Sequence, residues 1–229
     1  MTSIAMGYSK WAIVDARPAN LCFLPPALKK RLTLTISMAL EVAHQCTDDQ
    51  QCNIRSVFCV RYGEYDRTFK MLDTLLNEAL VSPAAFSLST HNVPSGVFSK
   101  NTGNKASSTT VSSLVATLET GFLEATMTAQ QYQEPVMLLY VDKPLPEVYG
   151  SAFTGQEDAI ALAILLTPDS EQKLQLSWHG NESEINPPSG VSSSVRQLHT
   201  LLEHPSSGSF SLDDGRLEWK WEAIHGRVA

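Results

Sequence analysis

His91, Ser112 and Ser113, with any nearby carboxylate, have the residue types of a hydrolase triad, in which a histidine takes the proton of an attacking hydroxyl. Neither serine lies in a G-x-S-x-G turn, the strained strand-to-helix elbow that exposes such a nucleophile. Ser113, closing a run of β-formers, reads as a helix N-cap, and His91 beside Asn92 as a residue that fixes a loop or packs at an interface. Cys46 and Cys52 have the spacing of a metal pair, but no His/Cys cluster completes it. All four cysteines, Cys22, Cys46, Cys52 and Cys59, read as reduced thiols, Cys59 as a small buried hydrophobe. Glu64, Asp66, Glu119 and Glu124 have no metal-binding spacing and read as a solvated face. Gly63 and Gly103 are single-glycine turns, not a phosphate cradle. Trp178, Trp219 and Trp221 fit core filling better than a binding patch. The residues alone call for no cofactor and no metal, and describe an α/β domain without a convincing active site.

The elements that hold these residues follow from apolar periodicity. Trp11–Val14 reads as a first strand, and Pro25-Pro26 open a helix carrying Leu28, Leu32, Ile36, Leu40 and Ala43 through about Cys46. Ile54–Val60 is a buried strand, Arg67–Leu80 an amphipathic helix, and Ser82–Thr90 extended. A short helix opens near Asn92, and Thr109–Ser112 is a strand. Leu114, Val115, Leu118, Phe122 and Ala125 recur at helical spacing. Pro135–Val141 and Ala159–Leu166 are continuous apolar strands, as in a sheet covered on both faces. The link 142–158 contains no clear helix, so the last strand need not be parallel. Beyond residue 170 the pattern changes to alternation in Leu174–His179 and Arg216–Ile224, with a helix about Val195–Glu203 between them. The expected division is a main domain over residues 1–170 and a small hairpin-and-helix appendage over 171–229, packed on the same domain.

With 229 residues, 43% hydrophobic and 18% charged, the chain has the makings of a substantial core. A formal charge of −7 and a pI near 5.3 disfavour non-specific nucleic-acid binding. No apolar run is long enough to span a bilayer, and the N-terminus lacks a secretion signal, so a cytoplasmic location is expected.

Several segments resemble, in order, the β-ketoacyl synthase N-terminal-like family. They are Phe23-Leu24-Pro25-Pro26-Ala27-Leu28-Lys29-Lys30-Arg31-Leu32, Val57-Phe58-Cys59-Val60-Arg61-Tyr62-Gly63-Glu64, and Ser82-Pro83-Ala84-Ala85-Phe86-Ser87-Leu88-Ser89-Thr90-His91-Asn92. Gly103-Asn104-Lys105-Ala106 and Gly121-Phe122-Leu123-Glu124-Ala125 continue the likeness, which spans about Trp11 to Pro144. It is similar in particular to the short chain length factors of aryl polyene biosynthesis. The resemblance implies half of a thiolase-like fold, a mixed five-stranded sheet covered by helices on both faces.

A full-length synthase in this family carries its nucleophilic cysteine in the first half and two histidines in the second. The cysteine position falls here near Val115, and no cysteine follows Cys59. A valine offers nothing ionisable or hydroxylic for covalent catalysis. The resemblance therefore implies a non-catalytic subunit that forms a heterodimer with a full-length β-ketoacyl synthase. That partner would draw on an acyl carrier protein and perform decarboxylative Claisen condensation. The dimer contacts would come from His91, Asn92, Thr109, Thr110, Val111 and Ser112. Ala85, Phe86 and Ser89 would reach the partner's acyl pocket, with Tyr62 at a tunnel end; for Phe86 and Tyr62, plain core packing competes with that role. The alternatives are an independent acyltransferase or thioesterase using Ser113 and His91, and a module that only recruits a carrier protein.

Overall fold

Two runs without a polar break set the centre of the molecule: Val136–Asp142 and Ile160–Leu166 are buried at every position. The computed structural model describes the chain apart from Ala16, Pro18, residues 48–52, Ala79, residues 146–157, residues 181–190, Ser207 and residues 226–229. Cys52 and most of the link 142–158 thus lie outside the described residues. The strands are β1 (Thr2–Asp15), β2 (Arg55–Val60), β3 (Ser108–Val111), β4 (Val136–Asp142), β5 (Ile160–Leu166), β6 (Gln172–Gly180), β7 (Ser209–Asp213) and β8 (Leu217–His225). They form one mixed sheet in the order β3-β2-β4-β5-β1-β6-β8-β7. β2 is parallel to both β3 and β4, while β5 runs antiparallel to β4 and β1.

The expected five-stranded mixed sheet is β3-β2-β4-β5-β1, and the C-terminal strands extend it to eight. β1 makes the extension possible. It is 14 residues long, not the four of Trp11–Val14: Tyr8–Asp15 pair with β5 and Thr2–Gly7 with β6, across a register shift between Tyr8 and Lys10. Such an irregularity turns a strand enough to serve two neighbours. The C-terminal segment supplies three strands, not a hairpin alone, because Ser209–Asp213, with only Phe210 and Leu212 as apolar positions, pairs with β8.

The helices are α1 (Pro26–Lys29), α2 (Leu34–Cys46), α3 (Tyr65–Glu78), α4 (Pro83–Ser87), α5 (Val93–Thr102), α6 (Thr117–Tyr132) and α7 (Val191–Glu203). The single helix expected from Pro25 to Cys46 is broken in two. Thr33 is extended (φ −77, ψ 168) and its Oγ1 accepts from Ile36 N at 3.2 Å, an N-cap that starts a new helix. Ser82–Thr90 is not extended: Ser82 caps α4, with Pro83 at its first position. α2 and α5 share one core cluster with the sheet, α6 and α7 the other. A buried aliphatic side chain of the kind that fills these cores stabilises by about 1.5–3 kcal/mol. α6 lies so close to β2 that a Cβ on Gly121 would fall 1.9 Å from Cys59 Sγ. Among the described residues no helix is long and apolar enough to cross a membrane.

Candidate functional site

Arg61 ties together the C-terminal ends of β2, β3 and β4. Val60 pairs with Val141, so the residues that follow, Arg61 and Asp142, emerge side by side, with Nε 2.7 Å from Oδ2. Both are almost fully buried. The Tyr140 hydroxyl donates to the same Oδ2 at 3.2 Å, and burial holds that phenol well above its ordinary range, so it stays a donor. The Arg61 guanidinium covers the half-buried Tyr62 ring at 4.4 Å, and the Arg61 carbonyl accepts from Ser112 Oγ at 2.9 Å. A sequence signal for this pair existed: two apolar strands each end on an opposite charge.

From this anchored platform the chain leaves β3 through Ser112 and Ser113 and enters a 3₁₀ turn, Leu114–Ala116, that feeds α6. Leu114 has φ +46 and is 65% exposed. Thr117 holds the turn, its Oγ1 accepting from Ser113 N at 2.9 Å and donating to Leu114 O at 2.7 Å. A non-glycine residue in this region costs on the order of 1–3 kcal/mol and persists only where its surroundings enforce it. The side chain on this strained strand-to-helix turn is a leucine, which can neither ionise nor attack. Val115, one residue on, is half-buried and packs against the core. The tip is Leu114. Ser113 makes no side-chain cap at this turn, contrary to the sequence reading; the Thr117 hydroxyl takes its backbone N–H instead.

The other sequence candidates spread over a surface next to the turn. Thr109, Thr110 and Val111 lie in β3, which among the described residues is an edge strand paired with β2 alone. His91 is exposed and its ring closes over Gly63, where φ is +64 and a Cβ would fall 3.0 Å from Nδ1. Asn92 stands at the start of α5 but does not cap it; its Oδ1 accepts from Thr90 Oγ1 at 2.6 Å. Ala85 is half-buried in α4, Phe86 beside it is 63% exposed, and Ser89 Oγ donates to Phe86 O at 2.8 Å. The exposure of Phe86 rules out core packing for that residue within this chain.

Two acids expected on a solvated face are buried. Glu64 accepts from Thr33 Oγ1 at 3.1 Å and sits 3.5 Å from Arg67 Nε, while its desolvation raises its pKa. Glu119, in the first turn of α6, accepts from Trp221 Nε1 of β8 at 3.0 Å. Its burial pushes the carboxyl up to about 7, with the indole bond acting in the opposite direction. Trp221 is fully buried and meets Phe122 edge-on at 4.8 Å, so the C-terminal strands are keyed into α6 by one indole. No group of three or more His, Cys, Asp or Glu that could hold a metal occurs among the described residues.

Residues 7–222 match the beta-ketoacyl synthase N-terminal domain. The chain belongs to that family. Solved structures with the same fold include a chain of the ketosynthase ApeO in complex with its chain length factor ApeC from Xenorhabdus doucetiae. It aligns with a TM-score of 0.76 at 19% identity, covering 96% of this chain and 99% of that one. The ishigamide ketosynthase/chain length factor aligns with a TM-score of 0.58 at 10% identity, over 80% of this chain and 68% of that one. A beta-ketoacyl synthase from Burkholderia phymatum STM815 aligns equally well at 10% identity, over 81% and 56% of the two chains. No curated protein matches.

Proposed function

We propose that this chain is a non-catalytic chain length factor, which pairs with a full-length β-ketoacyl synthase and shapes the tunnel for the growing acyl chain. The observation that carries the reading is Leu114, an exposed aliphatic side chain on a strained turn between β3 and α6. The partner would supply the reacting thiol and take its substrates from an acyl carrier protein, in chain elongation of the polyketide or aryl polyene kind. Similarity to the ketosynthase and chain length factor complexes supports a partner of this class.

In this reading β3 and the His91–Asn92 turn face the partner, and Ala85, Phe86 and Ser89 project toward its acyl pocket, with Tyr62 behind them. The open edge of β3 and the exposure of Phe86 support those assignments. Residues 1–170 would form the ketosynthase-like part, with residues 171–229 packed on it through Trp221.

Co-expression with a ketosynthase tests the proposal. A stable one-to-one complex is expected, with condensation activity absent when this chain is omitted. In the reconstituted pair, Ala85→Trp should shorten the products and Tyr62→Ala lengthen them, as sized by mass spectrometry. Equal activity and product length from the ketosynthase alone would refute the reading.

A further inference from the structure

A cleft of about 400 Å³ opens between the α1–α2 segment, the residues after α4, and α5. Its floor is aliphatic: Leu28 and Leu32, Ile36 of α2, Leu88, and Val93 and Val97 of α5. Its ionisable lining residues are Arg31, Arg67 and Lys100, with no carboxylate among them. That is an unusual local balance in a chain of formal charge −7. Arg67 is already committed, its Nη2 donating to the Arg31 carbonyl at 2.9 Å and its Nε facing Glu64. Arg31 and Lys100, by contrast, have no carboxylate within ion-pair reach among the described residues. Two cations at the rim are therefore available to a ligand.

From this arrangement we infer a binding site for a small anionic amphiphile: a linear aliphatic chain laid along the leucine and valine floor, with one carboxylate or phosphate head between Arg31 and Lys100. The volume suits a small molecule, since ligand pockets run from about 300 to 1,000 Å³ with mostly apolar walls and a few convergent polar groups. Aliphatic burial would supply the affinity, and the cations would select the head and its orientation. The site is distinct from the Leu114 turn but shares Asn92 with the face proposed for the partner, so its test uses this chain without a ketosynthase.

Calorimetric titration of the full chain with octanoate, octyl phosphate and octanol tests the inference. Saturable binding of an anion is expected, with octanol at least about tenfold weaker. Shortening the chain from eight to six carbons should weaken binding by about fifteenfold, from the transfer free energy of two methylenes. Preference for octyl phosphate would point to a phosphate-bearing arm as the natural source, and preference for octanoate to a free acyl carboxylate. Either supports the site. Arg31→Glu combined with Lys100→Glu should lower anion affinity at least about tenfold without changing the thermal melt. Val97→Trp, which fills the floor, should abolish binding and serves as an independent check. Octanol binding as tightly as octanoate, indifference to the double charge reversal, or no saturable anion binding at millimolar concentration would overturn the inference.

Discussion

Leu114 holds a backbone conformation that glycine accepts freely and leucine resists, and its side chain gains little burial in return. Leu114→Gly should therefore leave the isolated chain as stable as before or up to about 1 kcal/mol more stable, measured by denaturant unfolding. If the leucine serves the partner, the same variant should weaken the complex. Glu119 offers a second residue-scale test. Its folded pKa, near 7, lies above the ordinary 4.5, so folding favours the protonated form. The stability it permits is complete below about pH 4.5 and is lost as pH rises through about 7, by roughly 3 kcal/mol in all. Glu119→Gln keeps an oxygen to accept from Trp221 and cannot ionise. The variant should melt well above the parent at pH 8 and close to it at pH 5; parallel melting curves across that range would remove Glu119 as the titrating group.

At the scale of elements, the sequence marks what is repeated and misses what depends on one bond. The fully buried β4 and β5 and the apolar stripe of α6 are legible because many side chains share each signal. The break between α1 and α2 is not, because Leu28, Leu32 and Ile36 continue the helical spacing across it. It rests on Thr33, which both caps α2 and donates to buried Glu64. Thr33→Ala should cost about 1–2 kcal/mol for the cap, with more for the orphaned carboxyl. The burial of Glu64 and Glu119 was illegible for the same reason: their partners, Thr33 and Trp221, stand 31 and 102 residues away. Gly121 sets the contact of α6 with β2. Gly121→Ala places a methyl into Cys59 and should destabilise by about 1–3 kcal/mol, read from the shift in chemical denaturation midpoint.

For the whole molecule, the family resemblance anticipated the mixed sheet, whereas residue patterns alone gave no hint that β1 would carry two sets of partners and extend it to eight strands. The strained turn at Leu114 was not legible, because Leu114 and Val115 continue the apolar spacing of α6 and no sequence pattern encodes a single positive φ angle. Among the described residues both ends of the sheet are edge strands, β7 at one end and β3, beside the Leu114 turn, at the other. Edge strands that remain open are sites of pairing unless charged or covered. Thr109→Lys, at an exposed position of β3, should leave the chain folded by circular dichroism and weaken its co-purification with a ketosynthase.

The most direct test is intact-protein mass spectrometry of the reconstituted complex, trapped during turnover with an acyl-loaded carrier protein. The acyl mass is expected on the ketosynthase alone, with this chain at its unmodified mass. An acyl adduct on this chain that forms and turns over would contradict the account.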